Sequence, residues 1–243
     1  MLRRNCYIAL CCFIPLFIFC QRDQKAGDPK PAYTRITLGP AISFYSGNTQ
    51  HTTNTRSGAS FFGNISEEVR MYKDIFFVGG LEYQYSPVTF NSYYLTSGYP
   101  NLYNGHYDYN YKLALQEGRL NLLLRLIGGD ELKNTLTSYL EAGYVLRYLI
   151  NTNLKVTNDN NGKVEYEGVI HPTFNGAFMK NSFSSGIKIN AGLQHNFLRS
   201  HRAWYIQLGF MIGLTPFLIQ ESFTPSSLYL KSSYLQIGFG YKF

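Results

Sequence analysis

The chain has 243 residues, of which 45% are hydrophobic, 16% are aromatic and 15% are charged. This length suits one domain with a sizeable core, and the excess of Tyr and Phe favours strands over helices. The formal net charge is +7, but the basic residues form no cluster. The charge therefore does not indicate a nucleic-acid partner.

The first twenty residues have the features of a secretory signal. Arg3 and Arg4 precede an apolar run at residues 7–19, which ends at the small residue Cys20. This run is too short for a typical membrane-spanning helix. We therefore expect a signal peptide at 1–20, a periplasmic leader at 21–32 and one domain at 33–243.

The cysteines all fall within this signal. They are Cys6, Cys11, Cys12 and Cys20. Cleavage after Cys20 leaves a mature chain without thiols, which excludes a disulfide framework and a cysteine-based metal site. A lipidated Cys20 stays open as the lesser alternative, because Ile18 and Phe19 are larger than the residues that usually precede a lipidated cysteine.

Beyond the leader, apolar and polar residues alternate with a period of two in eight segments. In chain order these are about 33–45, 58–71, 74–87, 107–127, 136–152, 182–197, 203–215 and 235–243. Such alternation predicts strands with one apolar and one polar face. The longest apolar stretch, around 203–219, is interrupted by Gln, Gly and Pro and alternates as well, so it also predicts a strand.

Two of the predicted strands contain irregularities. In the fourth, the apolar residues occupy odd positions up to Leu115 and even positions from Leu120 onward. We expect a bulge near Gln116–Gly118 that restores one continuous apolar face. In the first, Pro40 cannot donate to a ladder, and we expect a local bulge to accommodate it.

The connections alternate between short and long. Those near 72–74, 128–135 and 199–202 are short, whereas those at 46–57, 88–106, 153–181 and 216–228 are long. This alternation is typical of outer-membrane barrels, which have tight periplasmic turns and longer outer loops. We predict an all-β, eight-stranded, antiparallel up-and-down transmembrane β-barrel. Within 153–181 we also expect a hairpin that turns at Asn161–Gly162.

The polar face of the predicted strands is rich in charge. In a barrel this face would line the lumen, where charged side chains must pair. The expected interior charge network consists of Glu82, Glu117, Arg119, Arg125, Glu141, Arg147 and Lys188. Because an eight-stranded barrel is narrow, these side chains would plug it. In a secreted soluble sandwich, which is the alternative fold, the same face would be the solvated exterior.

The chain ends in "QIGFGYKF", with apolar and polar residues in strict alternation. This ending resembles the carboxy-terminal signal by which the assembly machinery recognises outer-membrane barrels. The matching residues are Gln236, Gly238, Tyr241 and Phe243. The whole of 33–243 resembles the porin-family, PorT-like outer-membrane barrel domains and, in size, the OmpA/OmpX-type barrels. This resemblance implies a Gram-negative outer membrane, with membrane lipid and the barrel-assembly machinery as partners.

Function is expected in the outer loops, because loops on rigid scaffolds often carry binding. The candidate binding residues for a surface ligand or protein partner are Tyr93, Tyr94, Tyr99 and Tyr103, since tyrosines bind with little entropy loss. We expect no cofactor and no metal, because the histidines lack metal-ligand spacing. We also expect no catalytic residues. The alternative is a lipid-modifying enzyme built on His106 and Asp108 near a loop serine.

Overall fold

The computed structural model describes residues 32–47, 52–92, 109–158, 161–169, 179–180, 183–197, 201–216, 218–220 and 228–243. The predicted signal peptide and nearly all of the predicted leader lie outside these residues. The described part of the chain contains no helix that is long and apolar enough to cross a membrane.

The described residues form strands, turns and short connections. The strands are β1 (Ala32–Gly47), β2 (Thr52–Ser57), β3 (Ala59–Tyr72), β4 (Ile75–Ser92), β5 (Tyr109–Gly128), β6 (Leu136–Asn158), β7 (Val164–Val169), β8 (Met179–Lys180), β9 (Phe183–Asn196), β10 (Ala203–Gly213), β11 (Leu218–Gln220) and β12 (Leu228–Lys242). The hairpin expected at Asn161–Gly162 is present between β6 and β7, where the Gly162 N–H donates to the Asn158 carbonyl at 2.8 Å.

Eight of these strands close into a barrel, in the order β1, β3, β4, β5, β6, β9, β10 and β12. Each strand is antiparallel to both of its neighbours, and β12 returns to pair with β1 from Arg35–Lys242 to Gly47–Leu230. The short strands β2, β7, β8 and β11 extend the wall on the side of the long loops. Closure leaves the wall without a free edge, and it confirms the predicted eight-stranded barrel.

The apolar face of this barrel points outward. Leu38, Ile65 and Leu81 are each about 60% exposed (62%, 60% and 61%), whereas Glu68 and Arg125 are fully buried. In a soluble protein the burial would be reversed. In a membrane barrel, lipid covers the apolar exterior and the polar residues line the interior. The soluble sandwich alternative is therefore wrong, and the barrel spans a membrane.

Aromatic residues flank the apolar exterior at both ends. Near the termini, the Trp204 and Tyr241 rings lie 4.7 Å apart and the Tyr241 and Phe243 rings 5.3 Å apart. Near the loops, Phe61 stacks on Tyr85 at 5.4 Å. On β4, the stretch from Ile75 to Tyr85 rises roughly 33 Å along the strand, or about 25 Å across a membrane for a strand tilted by about 40°. This height matches the apolar band of a transmembrane barrel.

The predicted effect of a bulge on the fourth strand is wrong. The odd residues of β5 stay buried from Tyr111 to Ile127, so this strand never changes face. The register shifts opposite Gln116 and Glu117, where β6 contributes Ile150 as an extra residue. Because the extra residue lies on β6, β5 has no continuous apolar face toward the lipid. The apolar side chains in its loop-side half, such as Leu113 and Leu115, face the lumen.

The bulge expected at Pro40 is also wrong. The register between β1 and β12 is the same on either side of it, with Leu38 opposite Phe239 and Ala41 opposite Gln236. A Cβ on the neighbouring Gly39 would lie 1.8 Å from the carbonyl oxygen of Ile237. The absence of a side chain at Gly39 therefore allows β1 and β12 to approach closely next to Pro40, which has no backbone N–H to donate.

The turn between β5 and β6 is folded tightly at the end of the barrel that carries the termini. The Asp130 side chain accepts a hydrogen bond from the Leu132 N–H at 3.0 Å and pairs with Lys133 at 3.3 Å. These contacts, the Leu132 N–H first, lower the pKa of the Asp130 carboxyl. Gly129 supplies the positive φ (110°) at which the chain leaves β5. This turn directs Glu131, the residue after Asp130, back into the lumen.

Candidate functional site in the barrel lumen

The lumen is filled with charged side chains. Six cations and five carboxylates of the described residues are each at most 6% exposed there: Arg35, Arg119, Arg125, Arg147, Lys188, Lys242, Glu68, Glu82, Glu117, Glu131 and Glu141. The structure places all seven residues of the expected network in this set and adds Arg35, Glu68, Glu131 and Lys242. Buried charges are tolerable only where they pair, and they do so here in two clusters.

The periplasmic cluster lies at the end of the barrel that carries the termini. It consists of Arg35, Glu68, Arg125, Glu131, Glu141 and Lys242. Arg35 Nη1 donates to Glu141 Oε1 at 2.5 Å, Arg125 pairs with Glu68, and Lys242 Nζ donates to Glu131 Oε1 at 2.7 Å. The three cations and three carboxylates balance each other, so the cluster as a whole carries no net charge.

Tyrosine rings cover the cations of the periplasmic cluster. The guanidinium of Arg125 lies 4.0 Å from the ring centre of Tyr139, and that of Arg35 lies 4.6 Å from the ring centre of Tyr205. Such contacts strengthen when they are desolvated. A Cβ on Gly240 would lie 2.1 Å from Cζ of Tyr205. The glycine therefore leaves the space that this ring occupies.

The outer cluster lies on the side of the long loops and consists of Glu82, Glu117, Arg119, Arg147 and Lys188. Arg119 bridges both carboxylates, with Nη1–Glu82 Oε1 and Nη2–Glu117 Oε2 distances of 2.8 Å each. Arg147 Nη2 lies 2.6 Å from Glu117 Oε1, and Lys188 Nζ lies 2.5 Å from Glu82 Oε2. These bonds join β4, β5, β6 and β9 across the interior.

Residues of the predicted assembly signal lie on both faces of β12. Gln236 is buried in the lumen, where its Nε2 donates to Glu82 Oε1 and Gln84 Oε1 at 2.9 Å each. Tyr241 and Phe243 face outward with the aromatic residues near the termini. Gly238 faces the lumen, where a Cβ would lie 2.7 Å from Thr37 Cγ2. Their function as an assembly signal stays a prediction.

An apolar layer lies beyond the outer cluster, toward the loops. Its members face the interior and are at most 3% exposed: Val88, Phe90, Tyr111, Leu113, Leu115 and Leu154. The rings of Phe90 and Tyr111 stack at 5.1 Å. This layer departs from the predicted pattern, in which all apolar strand residues face the lipid.

The sequence contained a signal for three of the four additional charges. Arg35, Glu68 and Lys242 lie at polar positions of alternating strands, so the period of two would have found them. Glu131 lies in a turn, where no periodicity applies, and only the folded structure shows that it points inward.

Several other candidates fall where side chains are not described. Tyr93, Tyr94, Tyr99 and Tyr103 lie outside the described residues, as do His106 and Asp108. Among the described residues, no group of three His, Cys, Asp or Glu side chains is arranged to hold a metal ion.

A closed barrel with a lipid-facing apolar exterior, a polar lumen and aromatic residues at both rims defines the class. The chain is an outer-membrane β-barrel protein of the Gram-negative cell envelope. No family model matches its sequence, and no curated protein matches it either.

Solved structures resemble the chain at low sequence identity. Neisserial surface protein A is 13% identical, with a TM-score of 0.35, and the match covers 85% of this chain and 95% of that one. OprG from Pseudomonas aeruginosa is 15% identical, with a TM-score of 0.42 and coverages of 87% and 96%. Ail from Yersinia pestis is 13% identical, with a TM-score of 0.37 and coverages of 87% and 99%.

Proposed function

We propose that this protein is a closed barrel whose plugged interior passes no solute, and whose role is structural or surface-binding through its outer loops. We further propose that it belongs to the porin-family, PorT-like outer-membrane barrel domains, although the name porin does not denote an open pore in this barrel. One observation carries the proposal: two ion-paired clusters occupy the lumen one above the other.

The pairing supports a closed lumen because each cluster crosses the interior. In the outer cluster Lys188 on β9 reaches Glu82 on β4, and in the periplasmic cluster Arg35 on β1 reaches Glu141 on β6. A passing ion would have to separate these pairs, and an unpaired buried charge costs several kcal/mol, on the order of 3–5. The apolar layer above them adds a second barrier, since its side chains, apart from the Tyr111 hydroxyl, offer no hydrogen bond to a hydrated solute.

Conductance in a planar lipid bilayer tests the closed lumen. We expect the purified protein to give no resolved current steps. The triple variant Glu117→Ala, Arg119→Ala, Arg147→Ala removes three side chains from the outer cluster and leaves the pair of Glu82 and Lys188. We expect brief openings if this variant still shows heat-modifiable gel mobility. Lys155→Gln, on the outer surface, is the matched control. Steady current steps from the unmodified protein would overturn the proposal.

The proposal includes a non-enzymatic role. The alternative, a lipid-modifying enzyme, depends on His106 and Asp108. Comparison of outer-membrane lipids from cells that express the protein or its His106→Ala variant tests this part. We expect identical lipid species, and a species that appears with the protein and disappears with the variant would support the enzyme instead.

A further inference from the structure

A row of charged residues crosses the outward face of the wall above the loop-side aromatic residues. The row is defined by direct cross-strand pairing: Arg56 on β2 pairs with Thr89 on β4, Thr89 with Lys112 on β5, Lys112 with Lys155 on β6, and Lys155 with Glu167 on β7. Directly paired residues lie on the same face of a sheet. We call these five residues the outer row.

The outer row lies just above the polar headgroup layer of a phospholipid leaflet. Thr89 follows Tyr85 by four residues on β4, which is about 13 Å along the strand and about 10 Å along the membrane normal for a strand tilted by about 40°. Tyr85 and Phe61 mark the edge of the apolar band. The polar headgroup layer adds roughly 5–8 Å on each side of the hydrocarbon, so the row lies slightly above this layer.

The charges of the outer row are not balanced within the described chain. Lys155 Nζ pairs with Glu167 Oε2 at 2.9 Å. Lys112 lies directly opposite Lys155, and no carboxylate of the described residues forms an ion pair with it. Like charges at directly opposed positions destabilise a sheet. An anion bound between the two lysines would remove this repulsion.

A shallow pocket lies along the same row. Its volume is about 460 Å³, and its lining includes Pro87, Thr89, Lys112, Ala114, Asn153, Lys155 and Glu167. The alternate residues Val88, Leu113 and Leu154 are buried on the other face of the wall. Most of the lining residues face outward, so the pocket lies on the outer face of a wall that is packed from behind.

We propose that the outer row and its pocket bind the phosphorylated sugar headgroup of an outer-leaflet glycolipid. The two lysines and Arg56 supply cations for phosphate, whereas Thr89, Asn153 and Glu167 offer hydrogen bonds to sugar hydroxyls. The row spans four strand spacings, about 19 Å, which suits a headgroup of several sugars better than a single phosphodiester. The height of the outer row above the apolar band also favours a headgroup of several sugars.

Native mass spectrometry of the full mature protein in detergent tests the site, with purified lipopolysaccharide as the probe. We expect one lipopolysaccharide to stay bound and its apparent affinity to fall about fivefold for each cation removed, in Lys112→Gln, Lys155→Gln and Arg56→Gln. Glu167→Gln removes the carboxylate of the row, so the affinity of this variant for lipopolysaccharide should rise. Lys133→Gln removes an exposed lysine from the opposite end of the barrel and should change nothing.

Three results would overturn the proposal. Equal retention by the Lys112→Gln, Lys155→Gln double variant and the unmodified protein would exclude the row. Equal retention of dephosphorylated lipopolysaccharide would exclude phosphate recognition. Equal affinity for phosphatidylglycerol would show that any anionic phosphate suffices and that sugars add nothing. Heat-modifiable gel mobility of each variant shows that it has folded, and none of these outcomes depends on whether the lumen conducts.

Discussion

Lys242, the next-to-last residue of the chain, lies 2.7 Å from Glu131, which belongs to the turn between β5 and β6. β12 pairs with β1 and β10, so the two residues come from different parts of the wall and meet across the lumen. The closing strand is thus joined to the rest of the barrel by its backbone ladder and by a buried ion pair.

We expect Glu131→Gln to lower the free energy of unfolding by about 2–3 kcal/mol, because a buried lysine loses a charged partner but keeps Glu68 at 3.5 Å. Urea unfolding in lipid vesicles measures this. Lys133→Gln, which breaks an exposed pair in the same turn, should leave the midpoint unchanged. Equal midpoints for Glu131→Gln and the unmodified protein would show that the buried pair of Lys242 and Glu131 does not stabilise the barrel.

Glu117 is bound by Arg119 and Arg147 at 2.8 and 2.6 Å in the buried outer cluster. We expect Glu117→Gln to cost about 3–5 kcal/mol of unfolding free energy, because it leaves two guanidinium groups short of a carboxylate. Glu167→Gln breaks a pair of similar length on the exposed surface, and should cost less than about 1 kcal/mol. Denaturant titrations of both variants compare the two values, and equal losses would mean that burial does not set the cost.

Gly240 leaves the space for the ring of Tyr205, which covers Arg35. We expect Gly240→Ala to destabilise the barrel by about 1–3 kcal/mol through overpacking. Gly118→Ala is the matched control, since its Cβ would meet Ile150 at an ordinary 3.4 Å. The two midpoints of thermal unfolding should differ clearly, and similar midpoints would show that the ring can move aside.

Phe243 closes the predicted assembly signal and is 46% exposed on the lipid face. We expect its deletion to reduce the amount of barrel in the outer membrane of cells, while refolding of the purified protein in vitro is largely retained. Phe183→Ala removes another exposed aromatic residue and should not impair assembly. Immunoblots of membrane fractions decide the matter, and normal assembly without Phe243 would refute the signal.

The loop tyrosines Tyr93, Tyr94, Tyr99 and Tyr103 are the proposed binding residues. We expect their joint replacement by Ser to abolish adhesion of expressing cells to an array of glycans and extracellular-matrix proteins, with unchanged heat-modifiable mobility. The matched control is Tyr144→Ser, a tyrosine on the lipid face of β6. Undiminished adhesion of the quadruple variant would place the binding role elsewhere.

The alternation of residues determined most of the fold. A period of two fixes which side chains share a face of a strand, so Leu38 and Glu82 could be assigned to opposite faces before any pairing was known. Short and long connections then determined the antiparallel order. Both signals are local, which is why a single sequence contains them.

Only the tertiary structure decided which charges pair and where the pattern departs from simple alternation. Arg35 and Glu141 are 106 residues apart and meet because the closed wall brings β1 and β6 to face one lumen. Ile150 shifts the phase of β6, whereas β5 keeps one phase throughout, so the apolar residues in its loop-side half pack inward. Glu131 enters the lumen from a turn. Such contacts depend on the stagger of strands around the whole barrel, and this stagger is a property of the closed wall that no local pattern records.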